Sequence, residues 1–439
     1  MSLTAIATEI LKHAQALDVY IAEHDLPQPS FDRDGPAMFP LPGHAPDSLH
    51  KARTALMDAS KTIYDLTEGP TNSVMWGSIA VSNHFTSMTL RALNSFCVAD
   101  AVPLTDEGAS YAEIAAATGV DEEVITRIVR HATTMRIFDE FCPGRVRHTA
   151  SSRAMKENQL LKEAMKPCLE EGFQSAAHFN EAVAKFGGVE ECKTTAFNIA
   201  FDTDDNYFTF IQRPEEQHRG KYLAGMMRYM WKYGGTAGKS HTAEEVLAGF
   251  DWAKLEGGLV VDVGGSHGSV EAALAPLHKE LKFIVQDLPP VVELASANFN
   301  QLLPNAEDNC RVSFMAHSFF DPQPVKDADV YFFRHIMHDW SDTYCAKILK
   351  NIIPSMKKGA RIVIVDYVLP DPGSAPKTPA DGENRCGDLF MMSLLGGKER
   401  GAADWHKLVK LADDRLKILN INLPDNQVYG VIEIALDEE

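Results

Sequence analysis

Residues 3–24 carry apolar side chains at helical spacing with charges spread between them, which predicts one helix. Pro27, Pro29, Pro36, Pro40, Pro42 and Pro46 follow, and a stretch so rich in proline can be neither helix nor central strand, so an extended connection is expected. Helical spacing returns between about 48 and 100, as in Ile79, Phe85, Met88, Leu90, Leu93 and Phe96. The texture then changes. Ser110 with Glu113 forms a capping box, residues 114–118 a short helix, Gly119 a stop, and Asp121 opens a second helix to about Met135. Two short runs, 136–141 and 145–149, flank Pro143-Gly144 and read as a β wing behind the two helices. Residues 150–250 are again helical, with aromatic residues at Phe173, Phe179, Phe197, Phe201, Tyr207, Phe208 and Phe210. A second cluster, Met226, Met227, Tyr229, Met230, Trp231 and Tyr233, can be core or pocket lining.

Beyond 250 the period alternates. Short apolar runs at 259–263, 283–286, 312–315, 330–334 and 361–367 predict five strands separated by helical or polar segments, the pattern of a parallel, doubly wound sheet. A helix over 342–357 shows its apolar stripe in Ile348, Leu349, Ile352, Ile353 and Met356. The chain closes with runs at 416–421 and 429–436 around Pro424-Asp-Asn-Gln427, an antiparallel hairpin on the sheet edge. The expected division is 1–150, a mainly helical winged-helix domain; 151–245, a helical connector contributing to a substrate pocket; and 246–439, an α/β Rossmann-like domain.

Charge narrows the function. Against 42 Lys and Arg stand 61 Asp and Glu, a net −19, which disfavours broad contact with phosphate backbones or anionic lipid. The two-helix unit could be read as a DNA-binding module with Arg127, Arg130 and His131 as contacts, but the acidic balance favours a packing or dimerisation role. The seven cysteines show no metal-finger spacing, the N-terminus lacks a secretory pattern, and no run of about 18 apolar residues is present, so a reduced, cytoplasmic protein is expected.

The chemistry concentrates at strand ends. Val260-Val-Asp-Val-Gly-Gly-Ser-His-Gly-Ser269 places glycines between a buried strand and a helix, where backbone must turn sharply and approach a ligand. Asp287 ends the next strand, 25 positions after Asp262, where a carboxylate can accept ribose hydroxyls. Asp262 inside the turn would repel a pyrophosphate but suits an ammonium or sulfonium, which favours S-adenosylmethionine over NAD. At the fourth strand, Arg334-His-Ile-Met-His-Asp-Trp-Ser-Asp342 offers His338 as a base, and strand alternation would set 334, 336 and 338 on one face and His335 on the other. Asp339 with Asp342 could be a divalent-metal pair, but Ser341-Asp342 is also an ordinary helix start, the favoured reading. Asp366 ends the fifth strand and Glu399 sits in Gly396-Gly-Lys-Glu-Arg400; carboxylates beside His338 would fix its tautomer and support its cation.

Taken in order, Val-Asp-Val-Gly-Gly-Ser-His-Gly, Val-Gln-Asp-Leu-Pro, His-Asp-Trp-Ser-Asp with Ile-Leu-Lys-Asn, and Gly-Gly-Lys-Glu-Arg resemble the plant- and fungal-type small-molecule O-methyltransferases, over nearly the whole chain. The resemblance implies a class I methyltransferase sheet with a C-terminal hairpin and an N-terminal winged-helix region that forms a homodimer. It matches His338 to the family's catalytic histidine and Asp366 and Glu399 to its flanking acids, the first usually a longer Glu. It places the cofactor along Asp262, Gly264, Gly265, Gly268, Asp287, Leu288, Ser318, Phe319 and Arg334, with Ser266 and Ser318 where the family often has Gly and Asp. Met227, Trp231, Met391 and Met392 are expected to line the pocket of a small hydroxylated substrate.

No metal is expected, because the leaving sulfide is already activated by its charge. The expected activity is methylation of a hydroxyl on an aromatic or polyketide-type metabolite. The alternative is a methyltransferase-fold pericyclase or dehydratase that uses the bound sulfonium as fixed positive charge.

Overall fold

The computed structural model describes residues 2–77, 82–188, 190–233, 247, 249–255, 257–371, 379–423 and 429–437; Ile79 and the 424–427 turn lie outside them. The chain packs as two compact units, one of residues 1–177, 208–240 and 378–380, the other of 178–207, 241–377 and 381–439. The 151–245 stretch is thereby divided between the two.

In the first unit, helix Leu3–Glu23 starts on Ser2, whose hydroxyl accepts from the Ala5 amide at 3.2 Å, and it packs along helix Asp47–Glu68. The proline-rich residues between them form neither helix nor strand. The capping box closes reciprocally. The Glu113 amide donates to Ser110 Oγ at 3.2 Å, and the Ser110 amide donates to Glu113 Oε2 at 2.6 Å. Helix Tyr111–Thr118 stops at Gly119 in the left-handed region, φ 72°, and Asp121 caps helix Glu122–Thr134. Strands β1 (Ala109–Ser110), β2 (Phe138–Cys142) and β3 (Arg145–His148) make an antiparallel sheet in the order β1-β3-β2. Leu93, Val98, Ile114, Ile125, Val129 and Val146 are buried at the centre of this module.

Two of the three candidate DNA contacts serve that packing. Arg130 makes a two-pronged ion pair with Glu140 over the Tyr111 ring, and His131 Nδ1 bonds Thr89 Oγ1 at 2.8 Å, leaving Arg127 exposed. The two aromatic clusters differ as well. Phe197, Tyr207 and Phe210 are buried core, whereas Gly225 alone is buried in helix Gln217–Tyr233, so the Met226–Tyr233 stripe is not core within its unit.

The second unit is built on strands β4 (Leu259–Val263), β5 (Lys282–Asp287), β6 (Val312–Ala316), β7 (Val330–Arg334), β8 (Arg361–Leu369), β9 (Arg400–Gly401), β10 (Leu416–Asn422) and β11 (Tyr429–Leu436). They form one sheet in the order β10-β11-β8-β7-β4-β5-β6, with the short β9 beside β8. The five strands β6, β5, β4, β7 and β8 run parallel, and β11 and β10 close the sheet antiparallel. The winding reverses between β4 and β7, the place where open α/β sheets leave a crevice at the carboxyl ends of their strands. Val261, Phe332, Phe333 and Ile364 bury that centre completely.

Two local expectations change. The helix starting at Asp342 ends at Ile352 and continues as a 3₁₀ turn Ile353–Ser355, because Pro354 lacks the amide that another α turn needs. Strand β7 stops at Arg334: His335 turns left-handed at φ 53°, and Met337–Asp339 form a 3₁₀ turn. Alternation therefore does not extend to His338, and the two histidine rings lie 5.5 Å apart rather than on opposite faces.

Candidate active site

The turn after β4 is a bare cradle. Gly264 and Gly268 sit in the left-handed region at φ 81° and 77°, and the amides of Gly264 and Gly265 both donate to the Gln286 carbonyl, at 2.8 and 3.0 Å. A Cβ at Gly265 would collide with the Asp262 carboxylate, and one at Gly264 with Ile336. Asp262 is buried, and its Oδ2 meets no donor among the described residues. At the tip of β5, Asp287 Oδ2 accepts from the Ser266 amide at 2.9 Å and Oδ1 from the Leu288 amide at 2.7 Å, which ties the two strand ends together and leaves each oxygen a further lone pair. After β6, Ser318 Oγ accepts from the Phe320 amide at 3.3 Å, and the Phe319 ring stands edge-on to Trp340 at 5.9 Å. Arg334 ends β7, where burial pulls its guanidinium down to about 10. All nine expected cofactor residues thus stand at the carboxyl ends of β4 to β7. A buried acid, a carboxylate with free lone pairs at the next strand end and a backbone bared at Gly264, Gly265 and Gly268 fit a nucleoside that carries a positive charge.

His338 sits in the turn after β7, held from both sides. Its amide donates to Asp366 Oδ2 at 3.0 Å, and its carbonyl accepts from the Lys398 amide at 2.9 Å. Its Nδ1 lies 2.8 Å from Glu399 Oε1 and 3.6 Å from Asp366 Oδ1, so Glu399 takes the ring and the shorter Asp366 takes the backbone. Burial by itself would lower the imidazole, but Asp366, Glu399 and Asp339 outweigh it and hold it well above its usual range. As the cation, it donates Nδ1–H to Glu399 and turns Nε2 toward Asp339, whose Oδ1 is 3.5 Å away and whose carboxyl burial pushes up to about 7. Nδ1 and the two carboxylates also lie within 4.8 Å of one another, a spacing that could hold a divalent ion, but Nδ1 is already committed to Glu399.

A family model for the O-methyltransferase domain matches residues 187–413, and one for the O-methyltransferase dimerisation domain matches residues 80–158. The chain belongs to the S-adenosylmethionine-dependent O-methyltransferases. It is 33% identical over 441 residues to O-methyltransferase aurJ of Gibberella zeae, covering 99% of this chain and 97% of that one. To the chlorophenol O-methyltransferase of Trichoderma longibrachiatum it is 32% identical, covering 99% and 90%. Two solved structures, one of LepI in complex with SAM and one described as a pericyclic reaction enzyme, superpose with a TM-score of 0.67 at 25% identity, over 88% of this chain and 94% of theirs. The cofactor of this O-methyltransferase is S-adenosylmethionine.

Of the expected pocket residues, Met391 and Met392 lie near the C-terminal end of helix Pro379–Leu395, and their carbonyls accept from the Gly397 and Gly396 amides, anchoring the segment that carries Glu399. Met227, exposed, and Trp231, half-buried, lie on helix Gln217–Tyr233 of the other unit. Asp342, weighed as a metal partner of Asp339, instead pairs with Arg400 at 2.8 Å and Lys398 at 3.2 Å at its helix start. Sequence reasoning passed over several supporting groups of this O-methyltransferase. Arg400, wholly buried, donates to the Met337 and Trp340 carbonyls, both at 2.8 Å, and so fixes the turn around His338. Asp388 Oδ1 accepts from the Glu399 amide at 2.9 Å. Tyr367 lies along the His338 ring at 6.2 Å, its hydroxyl accepts from Tyr429 at 3.1 Å, and the Tyr429 ring stacks on His335 at 4.6 Å. The position of Arg400 beside Glu399 in one quoted motif was the available signal; nothing in the pattern pointed to the tyrosines.

Proposed function

We propose that this O-methyltransferase methylates a hydroxyl of an aromatic or polyketide-type secondary metabolite as a homodimer, with His338 as general base. The observation that carries the reading is the imidazole anchored through Nδ1 to Glu399 at 2.8 Å, with its backbone anchored on Asp366. S-adenosylmethionine, when bound, supplies a methyl group made electrophilic by the sulfonium. The remaining task falls to the chain: a phenol of pKa about 10 is mostly neutral at pH 7 and must lose its proton as its oxygen attacks. Neutral His338, with Nδ1–H on Glu399, presents Nε2 as the acceptor of that proton. The three acids around the ring then stabilise the imidazolium that results, and Arg400 keeps the turn from yielding as charge appears. Support for an aromatic acceptor comes from the chlorophenol enzyme among the relatives. The dimerisation-domain match, together with Phe85, Met88 and Phe96 exposed on that module, supports the homodimer.

The test is incubation of the purified protein with methyl-labelled S-adenosylmethionine and a metabolite extract from the source organism lacking this gene. A labelled product, heavier by one methylene and formed far more slowly with His338→Ala, is expected. A second reading, ring closure or dehydration around a bound sulfonium, has the likeness to the pericyclic reaction enzyme in its favour. It requires a new product that carries no label and forms only when the cofactor is present.

A further inference from the structure

Helix Ser269–Leu274, which follows the glycine turn, brings a second acid to the end of β4. Glu271 is 0% exposed and Asp262 1%. Neither oxygen of Glu271, nor Oδ2 of Asp262, meets a hydrogen-bond donor elsewhere among the described residues. Carboxylates only accept, so the one hydrogen bond open between them exists only if one of the two carries a proton. The charged groups facing Asp262 are Glu271, Asp287 at the tip of β5 and Arg334 at the end of β7; Glu271 faces Asp262. One guanidinium therefore stands against three acids. Burial raises Asp262 to about 7 and Glu271 well above the usual carboxylate range.

We propose that Asp262 and Glu271 form a proton-sharing acid pair beneath the cofactor cradle, and that a proton leaves the pair when the positively charged cofactor enters. Two buried anions that face a single guanidinium, itself shared with Asp287, are costly, and in the empty protein a proton removes that cost. A cation in the cradle performs the same neutralisation, so the proton and the cofactor compete for one negative site. The sign follows from linkage: below the value of the pair, binding must expel a proton, so affinity falls as pH falls and levels off as pH rises above it. The collision that a Cβ at Gly265 would make with Asp262 marks how closely this acid approaches the bare backbone of the cradle. Glu271 is in this account a positioning residue: it sets how many protons Asp262 must surrender. The inference rests on the cofactor and not on the identity of the acceptor.

Calorimetric titration of S-adenosylmethionine into the full-length protein without acceptor, at pH 6 in two buffers of different ionisation heat, counts the protons directly. Wild-type protein is expected to release about one proton and to bind roughly tenfold more tightly at pH 7 than at pH 6. Glu271→Gln keeps the shape and donates an amide N–H to Asp262, so it is expected to release no proton and to bind with equal affinity at both pH values. Wild-type binding without proton exchange overturns the proposal, and so does a folded Glu271→Gln variant that releases as many protons as wild type, since His338 is intact in it.

Discussion

His338, proposed above as the base, is held more basic than a free histidine, and the consequence is a pH dependence. Asp366, Glu399 and Asp339 hold His338 well above its usual range, so its cation persists to higher pH than that of a free imidazole, and only the neutral form can accept a proton. Methyl transfer is expected to climb with pH as the neutral form grows, with the rising limb above the ordinary histidine range, measured as kcat against pH. Glu399→Gln removes one of the charges that raise the imidazole and support its cation, and leaves an amide oxygen to accept Nδ1–H. The limb is expected to move to lower pH while the plateau falls; a limb that stays in place would show that another group titrates. His338→Ala is expected to lower kcat about 10²–10⁴-fold while leaving calorimetric binding of S-adenosylmethionine in place. His338, Asp366 and Glu399 were legible because strand ends and a family-like motif converge on them. The division of labour was not: a side chain one methylene shorter at 366 reaches the His338 amide rather than its ring, and only coordinates distinguish those partners. Glu271 escaped, and Asp339 was weighed only as a metal partner of Asp342, for a related reason: a carboxyl acquires its importance from burial, and burial of a polar side chain leaves no mark on the pattern of apolar positions.

At the scale of elements, regular segments were the readable ones. Strands β4, β7 and β11 begin and end where the apolar runs do, because a strand buried on both faces announces itself as an uninterrupted run. The turn after β7 is the opposite case. It mixes polar and aromatic residues without period, and its shape is dictated by partners more than 50 positions away: Arg400 on the Met337 and Trp340 carbonyls, and the Gly397 backbone pressed so closely on His338 that a Cβ there would strike its carbonyl. Replacing Arg400 by Met removes the donors while keeping most of the volume. Each buried carbonyl left unsatisfied costs about 1–3 kcal/mol, so a clear drop in melting temperature is expected, together with a lower kcat because the His338 turn loses its anchor. An unchanged melt would mean that water replaces the guanidinium. Gly397→Ala should reproduce the loss of kcat through collision instead of lost bonding.

For the whole molecule, the question is what the N-terminal module associates with. Its two helices and three-stranded sheet have a shape that the sequence allows for DNA binding, and the net charge of −19 argues the other way. Two side chains of the second helix favour the packing role. A helix that reads DNA must keep its cations available, yet Arg130 is spent on Glu140 and Tyr111 and His131 bonds Thr89. Meanwhile Met57, Tyr64, Phe85, Met88 and Phe96 of the same unit stand exposed, more apolar surface than solvent favours and of the kind an interface covers. Sedimentation is accordingly expected to give twice the chain mass at micromolar concentration, and charged substitutions at Phe85 and Met88 together are expected to shift it to the monomer. The same protein at low salt is expected to leave mixed-sequence DNA unretarded. Retardation that weakens steeply with added salt would instead mean that phosphates displace the Glu140 pairing, and would turn an acidic enzyme's packing module into a nucleic-acid surface.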